Sequence, residues 1–397
     1  MRRVAAVLLL FLLASADSEA AWFRRDPPRP GHTTLSEPVS ILQAQIAGGY
    51  FIVTAKWDRR GPYNFLIDTG ATTTLVTPTL AQRYGVKTHR LTGEPAPGVQ
   101  VTSSEGETLM LEAVNLRRLE LGDALFENVP SLVYDCNDIS VHLGLRIDGI
   151  LGFPLFREVL LSLDYPHHRV LLASTKGAVA LQPGTVIHFE NERRVPIIPV
   201  RIGDTTIMAL IDTGSDTTLR LNPIGIELLF LQAPRPGPIV ASLTGDRRQT
   251  VARLNGTVLL GDQVLEAPVV ELLDEFPTIG GGVLKYFVVT FDQENNRVTL
   301  HRDTNTPVTF PSRRSTGISV TKAGAYWRVA GVIPESPAAR AGIGEGDLIT
   351  RINDEPVEQW SPERFQSLVD QTDTITHAFL IGRRVYELKL PVMNLVP

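Results

Sequence analysis

Two short segments of the chain share one design, and they constrain its fold more than any other feature. Residues 64–76 read NFLIDTGATTTLV, and residues 208–219 read MALIDTGSDTTL. In each segment an apolar run, typical of a buried strand, leads into Asp-Thr-Gly. The glycine permits a sharp turn with close backbone approach. We therefore expect Asp68 and Asp212 to lie each at the mouth of a rigid turn.

Two carboxyl groups in contact have a chemistry that one alone lacks. Because both cannot ionise cheaply, they share a proton, so one can act as a base and the other as an acid. This suits amide hydrolysis by an activated water, with no metal, no cofactor and no covalent intermediate. The sequence therefore predicts Asp68 and Asp212 as a catalytic pair.

Residues 65–73 and 210–218 resemble the active-site loops of aspartic proteases, pepsin-like or retropepsin-like. The resemblance implies that the threonine of each turn bonds to the opposite half of the molecule. It also implies that Ser215 bonds Asp212, whereas Ala71 has no hydroxyl, so the two carboxyls are expected to differ in proton affinity. The residues expected to support the turns are Thr69, Gly70, Thr213, Gly214 and Ser215.

An internal repeat accounts for both turns. Four blocks recur in the same order, at residues 50–56 and 195–202, 98–111 and 237–251, 119–133 and 258–270, and 148–172 and 276–300. Their short, alternating, turn-punctuated strands predict a mostly β fold. We expect a two-lobed aspartic-protease-like pair of β-barrels, with lobe 1 at 39–180, lobe 2 at 181–303 and a pseudo-two-fold cleft. Both halves come from one chain, so dimerisation is not required.

Other segments refine the resemblance. The hairpin tip at Ser104, Glu105 and Gly106 is the expected flap over bound peptide, and its lack of tyrosine favours a retropepsin-like architecture. An apolar-apolar-glycine segment is expected beside each turn. Residues 150–152 (ILG) fit this pattern, but residues 278–280 (TIG) depart from it at Thr278.

The chain changes character after a polar, Pro-punctuated linker at residues 304–314. Ser336 and Pro337 are typical of a helix start, and a second helix is expected from Ser361. Residues 315–397 resemble a PDZ domain, a small α+β fold. The resemblance implies that a C-terminal peptide ligand adds to a sheet edge, near Gly317 and Ile318. A docking or packing role is the alternative.

The first 20 residues read as a secretory signal peptide, with a retained membrane anchor as the alternative, and residues 21–38 as an irregular leader. The protein is therefore expected to be exported, periplasmic or extracellular, and membrane-bound only if the segment stays uncleaved. Cys136 is the single cysteine, which excludes an intrachain disulfide. The net charge of −5 gives no reason to expect nucleic-acid binding.

The sequence thus predicts an exported aspartic endopeptidase whose PDZ domain recruits protein or peptide substrates. The alternative is a catalytically silent peptide-binding or adaptor protein with a protease-like fold.

Overall fold

The structure is a computed structural model that describes residues 31–47, 49–87, 98–102, 108–175, 183–241, 246–323 and 325–397. The expected signal peptide, the leader up to residue 30 and the flap tip with Ser104, Glu105 and Gly106 lie outside these residues. The protein is mostly β, as predicted. In the part of the chain that is described, no helix is long and apolar enough to cross a membrane.

The first half of the chain builds one large sheet, a two-stranded sheet and part of a sheet that it shares with the second half. Its helices are α1 (Pro78–Tyr84), α2 (Asn137–Leu143) and a 3-10 helix, Phe153–Phe156. Its strands are β1 (His32–Leu35), β2 (Val39–Gln43), β3 (Gln45–Ala47), β4 (Tyr50–Trp57), β5 (Arg60–Asp68), β6 (Thr74–Val76), β7 (Gly85–Lys87), β8 (Val99–Thr102), β9 (Thr108–Leu111), β10 (Ala113–Leu121), β11 (Ala124–Val133), β12 (Gly149–Gly152), β13 (Val159–Asp164) and β14 (Arg169–Ser174).

The second half repeats much of this pattern. It contains the short helix α3 (Gly281–Leu284). Its strands are β15 (Thr185–His188), β16 (Ile197–Ile202), β17 (Thr205–Ile211), β18 (Leu219–Leu221), β19 (Arg235–Ala241), β20 (Asp246–Arg253), β21 (Thr257–Leu260), β22 (Gln263–Glu266), β23 (Val269–Leu272), β24 (Thr278–Ile279), β25 (Val288–Asp292), β26 (Arg297–His301) and β27 (Val308–Thr309).

The C-terminal module follows. Its helices are α4 (Pro337–Arg340), a 3-10 helix, Val357–Gln359, and α5 (Pro362–Gln371). Its strands are β28 (Arg313–Ser315), β29 (Ile318–Ala323), β30 (Tyr326–Val332), β31 (Leu348–Ile352), β32 (Glu355–Pro356), β33 (Thr374–Ile381), β34 (Arg384–Pro391) and β35 (Met393–Val396).

The strands around the two aspartates follow one order in both halves. The first sheet runs β11-β6-β12-β5-β4-β10, and the second runs β23-β18-β24-β17-β16-β21. β5 and β17 each lie between an antiparallel neighbour and a parallel one. The last residues of both strands are buried, as their apolar sequence requires. Each Asp-Thr-Gly turn therefore leaves the middle of a sheet.

A third sheet joins the two halves. Its order is β15-β26-β25-β13-β14-β2, in which β13 of the first half pairs with β25 of the second. The ring of Phe153 packs edge-on against that of Phe291, with centroids 5.4 Å apart. One hydrophobic core runs through both halves. This shared core fixes the position of one half relative to the other.

The C-terminal module has its own sheet and core. Its strands run β29-β30-β31-β33-β34, so β29 is an edge strand of this sheet. The hydroxyls of Ser336 and Ser361 accept hydrogen bonds from the N–H groups of Ala339 and Arg364, both at 3.1 Å. Both helices therefore begin with the serine caps that the sequence predicted.

This module is attached to the second half by specific contacts. The buried guanidinium of Arg253 donates to the carbonyls of Ala267, Phe310, Pro311 and Pro397. Side chains of β20 and β23 share a small apolar cluster with Ile333 and β35. The N–H of Ile239 in β19 donates to the Ser319 hydroxyl in β29 at 2.9 Å. The module is therefore packed onto the protein rather than tethered to it.

One expectation for the N-terminal region is wrong. Residues 32–35 lie in the segment expected to be irregular, yet they form β1, which pairs antiparallel with β11. Thr33 and Leu35 alternate with more exposed side chains. The free edge of β11 supplies the backbone partners that the sequence could not reveal.

Candidate functional site

The first aspartate turn begins where β5 ends. The carboxyl of Asp68 is 2% exposed. Its Oδ1 accepts hydrogen bonds from the N–H groups of Gly70 at 2.8 Å and Ala71 at 3.0 Å. The backbone of Ala71 thus holds Asp68, although its side chain has no hydroxyl. These bonds fix the orientation of the carboxyl.

The second turn begins after β17 and has a similar geometry. Asp212 is fully buried, and its Oδ1 accepts a hydrogen bond from the N–H of Gly214 at 2.8 Å. Its Oδ2 has no hydrogen-bond partner within the described residues. A buried oxygen without a partner is costly, so this atom is suited to bind a proton or a water.

Threonines join the two turns. The Thr69 hydroxyl donates to the carbonyl of Ile211 at 2.7 Å, and the Thr213 hydroxyl donates to that of Ile67 at 2.9 Å. Each hydroxyl also accepts the N–H of the other threonine, at 3.0 and 3.1 Å. In each of these four hydrogen bonds the donor and the acceptor come from opposite halves of the chain. The turns are therefore held as one rigid unit.

The glycines allow the carboxyls to approach the opposite turn. A Cβ added to Gly70 would lie 2.8 Å from Oδ1 of Asp212. A Cβ added to Gly214 would lie 2.4 Å from Cγ of Asp68. Each carboxyl thus packs directly on the glycine of the other turn, and no larger residue fits there. The structure brings Asp68, Thr69 and Gly70 together with Asp212, Thr213 and Gly214.

The electrostatics of the two carboxyls differ. Burial, and then the negative charge of Asp212, hold the pKa of Asp68 well above its ordinary value. Burial raises the pKa of Asp212 to about 6, against the opposing effects of the Gly214 N–H and of Arg220. Both shifts favour one proton held by the pair in mildly acidic solution.

Ser215 does not act as the resemblance implied. Its hydroxyl donates to Oγ1 of Thr217 at 3.2 Å rather than to Asp212, so that expectation is wrong. Ser215 still supports the turn, because its carbonyl accepts the N–H of Gly281 at 2.7 Å. Ser215 thus bonds to Thr217 within the turn and to Gly281 of α3, and its hydroxyl does not donate to the Asp212 carboxyl.

Two buried tyrosines near the carboxyls were missed from the sequence. Burial, and then the charges of Asp216 and Asp212, raise the pKa of Tyr50. Burial, and then the charge of Asp212, raise the pKa of Tyr165. The Tyr165 hydroxyl has no hydrogen-bond partner within the described residues. Nothing in the local sequence marks these tyrosines, because their proximity to Asp212 depends on long-range pairing.

The predicted peptide-binding residues Gly317 and Ile318 lie in the C-terminal module. Gly317 has a φ of +92°, and its N–H donates a hydrogen bond to the Ser315 hydroxyl at 2.9 Å. A Cβ at this glycine would clash with Ser336, so the loop requires glycine. Ile318 opens the edge strand β29 and contributes to the core of the module. No hydrogen bond in the described residues links these two to the aspartate turns.

Buried Asp-Thr-Gly turns joined by threonine bonds are the kind of site that aspartic proteases contain. Residues 53–155, which include the Asp68 turn, match the aspartyl protease family, and residues 328–377 match the PDZ domain family. None of the curated proteins matches the chain. The protein thus carries a retropepsin-like aspartyl protease domain and a C-terminal PDZ domain. The PDZ domain implies binding of a peptide ligand.

Proposed function

We propose that the protein is an aspartic endopeptidase in which Asp68 and Asp212 activate one water between them. The observation that carries this proposal is the pairing of two buried carboxyls, each held on the glycine of the opposite turn. Burial in a site of low dielectric raises the pKa of both groups, so that the pair retains one proton.

The chemistry follows from that shared proton. The water oxygen attacks the peptide carbonyl carbon while one carboxylate takes a water proton, and the protonated carboxyl gives its proton to the carbonyl oxygen. The C–N bond then breaks as the leaving nitrogen takes a proton from the first carboxyl. A hydroxyl of the gem-diol returns its proton to the second. The pair ends in its starting state, with an acid and an amine released.

We also propose that residues 39–180 and 181–303 are the two lobes of one protease, which form the cleft within one chain. The common strand order around the two turns and the reciprocal threonine bonds support this assignment. The flap at Ser104, Glu105 and Gly106 stays a prediction, as does export by residues 1–20. In the proposed enzyme the PDZ domain recruits protein or peptide substrates through the loop at Gly317 and Ile318.

A silent peptide-binding protein is the second candidate. The deep burial of Asp68 and Asp212 favours it, because buried carboxyls are less accessible to a substrate. The PDZ domain would then supply the binding function, and the protease-like cleft would hold peptide without cleaving it.

The test is cleavage of a mixed peptide library from pH 3 to pH 8 by the purified protein. Asp68→Asn and Asp212→Asn should each lower cleavage by about a hundredfold or more, because each removes one acid–base group. Asp204→Asn, at an exposed turn, is the matched control and should cleave normally. Peptide binding without cleavage at every pH would establish the silent candidate instead.

A further inference from the structure

The second half carries a row of polar side chains across three strands beside the Asp212 turn. In β18, Arg220 lies opposite Thr278 of β24 and opposite Glu271 of β23. All three residues are buried. They share one face of the sheet because directly paired residues on neighbouring strands point to the same side.

The first half carries apolar residues at the corresponding positions. Leu75 of β6 lies opposite Ile150 of β12 and opposite Leu132 of β11. The three belong to one buried apolar cluster. Since the strand order is the same in both halves, Arg220 takes the place of Leu75. Thr278, which departs from the apolar pattern, is therefore one of three polar residues that take the place of the apolar row in the first half.

A buried guanidinium is costly to maintain. Arg220 is 8% exposed, and its Nη1 donates to Oε2 of Glu275 at 3.2 Å. Its Nε has no hydrogen-bond partner in the described part of the chain. Transfer of a charge out of water is unfavourable, and one ion pair need not recover that cost. A leucine here, as at Leu75, would avoid that cost, so the packing alone gives no reason for the arginine.

The position of Arg220 relates it to one carboxyl of the pair. β18 follows the Asp212 turn directly, and β24 lies between β18 and β17, the strand that leads into Asp212. Arg220 is the cation with the largest effect on Asp212, whereas Asp68 is governed by burial and by Asp212 itself. The other titratable groups that act on Asp212 are Asp68, Asp216, Tyr50 and Tyr165.

We propose that Arg220 is a positioning residue of the carboxyl pair, whose buried guanidinium keeps the negative charge on Asp212 and leaves the shared proton on Asp68. The catalytic consequence rests on the proposed function. Asp212 is then the base that takes the water proton, and Asp68 is the acid that protonates the substrate carbonyl. The apolar row of the first half gives Asp68 no such cation.

The test compares variants that alter the charge with one that keeps it. Arg220→Met combined with Glu275→Gln removes the cation without leaving its partner unpaired. Arg220→Lys retains the charge. Arg297→Met, which breaks the ion pair of the part-exposed Arg297 with Asp292 in the β25–β26 hairpin, is the matched control. The pH profile of kcat/KM is measured for each.

The acidic limb of the profile reports ionisation of Asp212. In the Arg220→Met/Glu275→Gln variant it should move to higher pH by about one unit, because the carboxylate has lost its stabilising cation. Arg220→Lys and Arg297→Met should keep the limb of the unaltered protein. Glu275→Gln alone leaves the cation uncompensated and should move the limb to lower pH.

An unmoved limb in both the double variant and Glu275→Gln, with folded protein, would overturn the proposal. So would a uniform loss of activity at every pH, since that marks a structural role. ¹³C NMR titration of the Asp68 and Asp212 carboxyls measures the same shift in the ionisation of Asp212 without requiring peptide cleavage. The two signals are assigned with the Asp68→Asn and Asp212→Asn variants. An inactive protein would thus refute the proposed function, while the carboxyl titration still decides the role of Arg220.

Discussion

Thr69 and Thr213 hold each other by reciprocal hydrogen bonds. The N–H of Thr69 donates to Oγ1 of Thr213 at 3.0 Å, and the N–H of Thr213 donates to Oγ1 of Thr69 at 3.1 Å. Both residues are fully buried, so the bonds form in a region of low dielectric. The two turns, 144 residues apart in the chain, therefore behave as one element.

Thr213→Val tests this element. The substitution keeps the shape but leaves the N–H of Thr69 and the carbonyl of Ile67 without a partner, at about 1–3 kcal/mol for each buried group. We expect the free energy of unfolding to fall by about 2–6 kcal/mol in urea titrations. Thr206→Val, at an exposed site of β17, is the control and should change little. Equal midpoints for the two variants would contradict the account.

Gly214→Ala tests the approach of the carboxyls. The added methyl would lie 2.4 Å from Cγ of Asp68, so the turns must separate. We expect peptide cleavage to be lost and the protein to be less stable, as measured by activity and thermal unfolding. Gly344→Ala is the control, because its Cβ would meet no atom within 4 Å. An active Gly214→Ala variant would show that the carboxyls need not pack on the opposite turn.

His377 makes the C-terminal module sensitive to acid. Burial lowers the pKa of His377 from 6.5 to about 4. Between these values the unfolded state binds a proton that the folded state excludes, so stability is lost as the pH falls below 6.5. The full loss is about 3 kcal/mol.

Hydrogen exchange of the β33 amides, corrected for intrinsic rates, measures this loss locally. His377→Leu should remove the pH dependence, and His188→Leu at an exposed site should keep it. A β33 protection that does not change between pH 7 and pH 4.5 would refute the assignment.

Arg253 fastens the C-terminal module to the second half through four backbone carbonyls. Arg253→Met leaves these carbonyls unpaired at a buried site, so we expect β28 and β35 to lose protection from hydrogen exchange by tenfold or more, about 1.4 kcal/mol or above. Residues 304–312, between β26 and β28, should become a site of limited proteolysis.

Arg351→Met provides the comparison for that experiment. Arg351 pairs with Glu387 at the surface, where an ion pair contributes about 0–1 kcal/mol. The Arg351→Met substitution should leave the protection of the β28 and β35 amides from hydrogen exchange unchanged. If Arg253→Met behaves in the same way, the module is held by other contacts.

Local patterns were enough to predict the mostly β fold and the capped helices at Ser336 and Ser361, whereas the two domain types came from resemblance to known families. These features depend on alternation, turn residues and caps, which act over a few positions. The environment of Asp212 depends instead on which strands are neighbours. Arg220 lies between two leucines of a short strand, and the one local signal for its role was the polar Thr278.

Long-range pairing also explains the other differences between the predicted and the observed structure. β1 lies in a segment rich in turn residues and becomes a strand only because the edge of β11 is free to pair with it. The Ser215 hydroxyl donates to Thr217 rather than to Asp212, a choice that the sequence of the turn does not show. Such choices are made by tertiary contacts that leave no period in the sequence.

The central claim is that Asp68 and Asp212 of a single chain form one catalytic pair. The most direct measurement is peptide cleavage by Asp68→Asn, by Asp212→Asn and by an equimolar mixture of the two, beside the unaltered protein. The account predicts that only the unaltered protein cleaves, because every cleft in the mixture still contains one asparagine. Recovery of activity on mixing, or cleavage by either variant alone at the unaltered rate, would contradict it.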